Sequence, residues 1–205
     1  MKEERPSIYV IANGAPNSGK KTTTLNLGLC FSTLMQPTLI IDYSVNSWIK
    51  EVFKAKENHL VVAHPFLDYI QLKHGEAPKL DLYKQVVVNC PNHLLGSVMA
   101  ALPSYAELIV PIETEFYGLN SLTSFLEHSK EFRIKGFLPV FHRPDSEIAQ
   151  AMLKKIKSDF QDYVFLPVIQ RNYYLARQKD LKEFDFVSLT EKAATTHLGL
   201  ANQLL

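Results

Sequence analysis

Gly14, four intervening residues, Gly19 and Lys20 have the spacing of a loop whose backbone N–H groups surround phosphate while a Lys ammonium reaches the outer phosphates. The next position should carry a hydroxyl that ligates Mg²⁺. It is Lys21 instead, followed by Thr22, Thr23 and Thr24. The flanks suit a phosphate loop: Ser7 to Ala12 (SIYVIA) reads as a buried strand, and Thr22 to Met35 as a helix whose positive N-terminal end faces the loop. The plain alternative is a Gly/Asn/Pro turn that only joins strand to helix.

The elements that must hold this loop follow from hydropathy. Short apolar runs at Ser7 to Ala12, Thr38 to Ile41, Leu60 to Ala63, Gln85 to Asn89, Leu108 to Pro111, Gly136 to Phe141 and Tyr163 to Val168 read as strands. Continuously apolar strands rich in Val and Ile are those of a parallel sheet covered on both faces. Helical length and spacing fall at Thr22 to Met35, Leu94 to Ala101, Tyr117 to Glu131 and Ser146 to Phe160. The alternation predicts an α/β fold, a doubly wound and mostly parallel sheet with helices on both faces. Ligand would sit outside the carboxyl ends of the strands, where Gly14 to Lys21, Asp42, Asn89 and Arg143 fall.

With 205 residues the chain can bury one sizeable core, so a single domain over 1–205 is expected. A net charge of +1, from 22 basic and 21 acidic residues, excludes a global field for nucleic acid or membrane. The two cysteines, Cys30 and Cys90, lack metal spacing and read as buried thiols. No apolar run approaches the roughly 20 residues that span a bilayer, and MKEERPS is no signal peptide, so a cytoplasmic protein is expected. His59, His64, His74 and His93 lack metal-ligand spacing, and His142 reads as a loop residue.

Taken in order, these stretches resemble the deviant Walker A partition ATPases of the ParA/Soj/MinD family, and its Soj-like branch in particular. IANGAPNSGKKTTTLNLG resembles their phosphate loop and TLIIDYSVNSW their first switch. QVVVNCPNHLLGSVMAAL is similar to the Walker B and second switch, and ELIVPIETEFYGLNSLTSFLE to the next strand and helix. RIKGFLPVF and FLPVIQRNYYLARQ look like the last two strands and their loop. The resemblance covers most of the chain and implies a ParA-like P-loop NTPase domain of the SIMIBI type. The segment between Asp42 and Asn89 is shorter than usual, which leaves the sheet order around Leu60 to Leu82 open.

Where the chain departs from that pattern, chemistry is lost. The family's signature Lys, which reaches the partner's phosphates across a dimer, falls on Ala15, and its paired glycines fall on Pro16 and Asn17. Pro removes an N–H from the cradle. The Mg²⁺ hydroxyl falls on Lys21, the second switch carboxylate on Ser44 and the Walker B carboxylate on Asn89, leaving Asp42 as a catalytic remnant. Mg²⁺ requires hard oxygen ligands, so ammonium and amide in those places argue against the metal. The resemblance with these losses implies a pseudo-ATPase in plasmid or chromosome partition or cargo positioning, holding nucleotide weakly or not at all. The alternative is a working, divergent ATPase that binds ATP and non-specific DNA.

ATP or ADP without Mg²⁺ is thus the expected ligand. Gly14, Asn17, Ser18, Gly19, Lys20, Lys21, Thr22 and Asn89 would hold it, with the Arg171–Asn172 pair at the base. Lys21 would either supply the lost positive charge or point into solvent. Expected partners are a ParB-like adaptor, an active ParA or a cargo, and the resemblance implies a homodimer. Candidate DNA contacts are Lys154, Lys155, Lys157, Arg177 and Lys179, diluted by Asp159, Asp162 and Asp180. The C-terminal TTHLGLANQLL carries no Lys or Arg, so it is expected to pack on the body rather than bind membrane.

Overall fold

A strand apolar at every position is stable only with both faces covered, and those runs occupy the middle of the sheet. The computed structural model describes residues 5–115, 118–171 and 197–205. Its elements run β1 Ser7–Ile11, α1 Lys20–Thr33, β2 Thr38–Asp42, α2 Trp48–Val52, β3 Val61–His64, β4 Leu67–Gln71, β5 Gln85–Asn89, α3 Leu95–Ala101, β6 Glu107–Glu113, α4 Gly118–His128, β7 Arg133–Val140 and α5 Glu147–Phe160. The described strands form a seven-stranded sheet in the order β3-β4-β2-β5-β1-β6-β7, parallel except for β3 against β4.

Alternation along each strand divides the core. Tyr9 and Ile11, with Ile40, Val87 and Ile109, face α1 and the C-terminal residues Leu200 and Leu204. Ile8 and Val10, with Ile41, Val88 and Val110, face Val98 of α3, Leu122 and Phe125 of α4 and Ile156 of α5. Both faces are therefore covered, as a doubly wound sheet requires. The C-terminal segment packs on the body as expected: Leu200 and Ala201 are fully buried, and the Tyr9 hydroxyl donates to the Leu204 carbonyl at 3.0 Å. Among the described residues, no helix is long and apolar enough to cross a membrane.

Three expectations change. Tyr163 to Val168 is not a strand: it makes one isolated bridge, Phe137 to Val164, and the next, His142 to Gln170, comes after it. Phe165 N–H donates to Phe137 O, but the next such bond to β7 comes from Ile169 N–H to Pro139 O. Pro167 has no N–H to place between them, and Leu166 turns out to solvent. Between Asp42 and Asn89 the structure adds α2 and β4. β4 lies parallel beside β2, and β3 turns back on it as an antiparallel edge, which settles the sheet order left open by the sequence. Finally, α1 begins at Lys20 rather than Thr22, so both lysines belong to its first turn.

The chain leaves β1 for β2 on one side, while β6 lies on the other, so the strand order reverses at β1. The loop after β1 opens there, at the point where such sheets hold ligands.

Candidate functional site

Two asparagine side chains brace the loop from Asn13 to Gly19. Asn13, buried after β1, donates to the Pro111 carbonyl and accepts from Ala15 N–H at 2.7 Å. Asn92 donates to the Gly14 carbonyl at 2.6 Å. Asn17 and Gly19 take left-handed backbone, with φ 55° and 80°. A Cβ at Gly19 would also stand 3.3 Å from Phe141 Cζ, a tight approach. Phe141 itself has φ 56°, an uncommon conformation for a bulky residue, at the end of β7 against the loop.

The Lys20 ammonium turns back into this loop, donating to Ala15 O at 2.7 Å, Ser18 Oγ at 3.0 Å and Asn13 O at 3.4 Å. Burial pushes it down from the ordinary 10.5 to about 8. Lys21 reaches the other way, and its ammonium donates to Asn46 O at 2.7 Å. That contact ties it to the residues after β2 rather than leaving it free in solvent. The first turn of α1, Lys20 to Thr23, holds no carboxylate, so no acidic side chain of that turn competes for the positive end of the helix.

The register of the sheet sets Asp42 of β2 beside Asn89 of β5. Asn89 Nδ2 donates to Asp42 Oδ1 at 2.7 Å and to Ser44 Oγ at 2.8 Å. The amide orientation follows from chemistry, because a carboxylate only accepts. Asp42 also accepts from Ser44 N–H at 2.9 Å and Tyr69 Oη at 3.4 Å. Burial, and then Asp42, raise the Tyr69 phenol far above its ordinary value. Asp42, the expected catalytic remnant, is fully buried behind this set of donors. Gln71 of β4 completes the arrangement by donating to the carbonyls of Ser44 and Val45.

Together these walls border an open cavity of about 460 Å³ whose lining includes Asn17, Ser18, Gly19, Lys20, Lys21, Thr22 and Asn89. Gly14 belongs to the loop but not to the lining. Sequence reasoning missed Trp48, Asn92 and Phe141, which also line it. Trp48 stood within the switch-like stretch already singled out, and an aromatic residue closing a strand was the available signal for Phe141.

Arg171 is not among the lining residues. Its guanidinium lies 3.4 Å from Glu115, a carboxylate that also meets Arg143 at 3.6 Å. Burial, with Glu115 adding to it, raises Glu113 nearby. His142 is buried, with Nδ1 3.2 Å from Thr114 Oγ1. Asn172, Arg177 and Lys179 lie outside the described residues. Lys154, Lys155 and Lys157 are exposed on α5, and Lys155 pairs with Asp159 at 3.0 Å. Both thiols are buried and pushed up to about 12.

No protein-family model matches the chain. An uncharacterized protein of Pseudomonas putida is 24% identical, over 97% of this chain and 94% of that one. The chromosome partitioning protein ParA of Myxococcus xanthus is 20% identical, over 97% and 87%. Among solved structures, apo McdA of Cyanothece superposes with a TM-score of 0.73 at 15% identity, over 98% and 99%. The septum site-determining protein MinD of Pyrococcus horikoshii, complexed with Mg-ADP, gives 0.71 at 15%, over 97% and 96%. Over most of its length the chain is similar to ParA and Soj chromosome-partitioning proteins, and the loop after β1 and this strand order belong to the fold it shares with the McdA and MinD structures.

Proposed function

We propose that this ParA/Soj-like protein, a single domain over 1–205, serves plasmid or chromosome partition or cargo positioning as a pseudo-ATPase. It holds nucleotide weakly or not at all and acts through a protein partner: a ParB-like adaptor, an active ParA or the cargo. The observation that carries this reading is the Asn89 amide, whose two N–H groups are spent on Asp42 and Ser44 where the family pattern has a Walker B carboxylate. MinD of P. horikoshii is complexed with Mg-ADP. Mg²⁺ takes oxygen ligands in near-octahedral array, and the donor set here offers the Lys21 ammonium and the amide N–H groups of Asn89 instead. That set does not fit the metal.

Phosphoryl transfer relies on cations that neutralise charge developing on the phosphoryl oxygens and on a group that orients the nucleophile. Losing one such oriented donor costs about 3 kcal/mol, a hundredfold or more in rate, and here Ala15, Lys21, Ser44 and Asn89 stand in place of four such groups. With Ala15 in place of the trans-acting Lys, an ATP-clamped homodimer also lacks its cross-contact. Calorimetric titration with ATP and ADP, in Mg²⁺ and then in EDTA, with phosphate release followed in the same samples, tests the reading. The expected result is no Mg²⁺-dependent turnover. Turnover in Mg²⁺ overturns the proposal and makes this a working, divergent ATPase.

A further inference from the structure

Residues 43–47, the loop after β2, are fastened from three elements. Asn89 of β5 holds Ser44 Oγ at 2.8 Å, Gln71 of β4 holds the Ser44 and Val45 carbonyls, and Lys21 of α1 holds the Asn46 carbonyl at 2.7 Å. The first two fastenings are neutral amide contacts. The third is different in kind: an ammonium on an exposed contact, from a side chain that lines the cavity, joins the loop to the helix carrying the phosphate-loop lysines.

We propose that Lys21 is a two-position cation that couples this loop to a metal-free, phosphate-bearing anion: on Asn46 O when the cavity is empty, on the anion when it is filled. The proposal rests on the reading above that the site works without Mg²⁺. A phosphate oxygen carries charge and a peptide carbonyl does not, so the anion is the stronger acceptor for the ammonium. Lys20 cannot respond in this way, because its ammonium is held by three oxygens of its own loop. The cavity of about 460 Å³ is of small-ligand size, and the carboxylate-free first turn of α1 adds N–H donors at its mouth. Filling the cavity removes the fastening to α1 and loosens the loop. Val45 is 85% exposed on that loop, so its presentation to a partner changes with the anion.

Trp48, the sole tryptophan, lines the cavity and directly follows the loop, so the protein carries its own reporter. The test titrates pyrophosphate, ADP and ATP into the full chain in EDTA, reading Trp48 fluorescence and hydrogen exchange of residues 43–47. Saturable binding in EDTA with faster exchange at 43–47 is expected. Lys21→Met should weaken binding about tenfold or more and exchange fast already without ligand, while Lys21→Arg keeps both wild-type behaviours. Pyrophosphate equal to ATP supports the proposal with phosphates alone as ligand, and ATP the tighter supports it with a nucleotide. Binding in EDTA that Lys21→Met leaves unchanged, or slower exchange at 43–47, overturns it. No binding in either EDTA or Mg²⁺ overturns it too, while leaving the pseudo-ATPase reading standing. Binding only with Mg²⁺ and with phosphate release overturns both.

Discussion

Asn89 and Lys20 show how a single substituted or displaced group changes what the site can do. Asn89→Asp would set a second carboxylate against Asp42 across a 2.7 Å contact in a buried place. Two like charges there cannot both ionise, so the folded pKa of one carboxyl rises above its unfolded value. Stability is then retained at acid pH and lost as pH rises through that folded pKa. We expect the variant to lose about 2–4 kcal/mol near neutrality, with the deficit shrinking toward about pH 5, in urea unfolding at the two pH values. Added Mg²⁺ should not recover it; full recovery by the metal would contradict the reading of the site. For Lys20 the shift is downward, to about 8 from 10.5, with burial as its first cause. The unfolded chain keeps that proton to higher pH than the folded one, so the cost of burying the ammonium is present in full below about 8 and is relieved between about 8 and 10.5. Lys20→Met should abolish this rise in stability, which unfolding curves on either side of the window would read.

At the scale of elements, the position of both lysines depends on how closely α1 lies on the sheet. A Cβ at Gly28 would meet Ile40 Cδ1 at 2.5 Å and Cγ1 at 2.7 Å, and Ile40 is itself fully buried. Gly28→Ala should therefore cost about 1–3 kcal/mol, and Ile40→Val beside it should restore part, as measured by thermal unfolding. The central strands were legible because β2 and β5 are apolar or buried at every position, a pattern with few other homes. α2 was not legible, since WIKEV is too short to show a helical period. β4, reading LDYIQ, alternates buried and half-buried positions, and its Asp and Gln masked it. The segment at 163–168 misled in the other direction: its apolar residues promise a strand that Pro167 prevents from pairing continuously. In the site, the loop spacing and the missing ligands could be read from residue types alone. The contacts of Lys21 with Asn46 and of Asn89 with Ser44 span 25 and 45 residues and exist only once the sheet is assembled.

For the described residues as a whole, the sheet order gathers Lys21, Ser44 and Asn89 at one crevice, while the lysines of α5 lie exposed elsewhere. Affinity for DNA phosphates comes from clustered cations that release counterions, and it falls steeply with salt. Net charge is +1, and on α5 Lys155 is already paired with Asp159 at 3.0 Å, leaving Lys154 and Lys157 as the exposed cations beside it. Near β6 and β7, Arg133 and Lys135 both lie within ion-pair distance of Glu107, at 3.8 and 3.4 Å. Exposed pairs of this kind contribute little to stability, but they do reduce the positive field that a duplex would meet. Two unpaired lysines on one helix give a shallow salt dependence and little binding. The expected outcome of fluorescence anisotropy with a labelled duplex is weak association at about 0.05 M salt that disappears by about 0.15 M, with or without ATP. Binding that persists at the higher salt and weakens when Lys154 and Lys157 are changed to Glu would locate a DNA-binding face on α5. Persistence without that sensitivity would place it among Arg171, Arg177 and Lys179 instead.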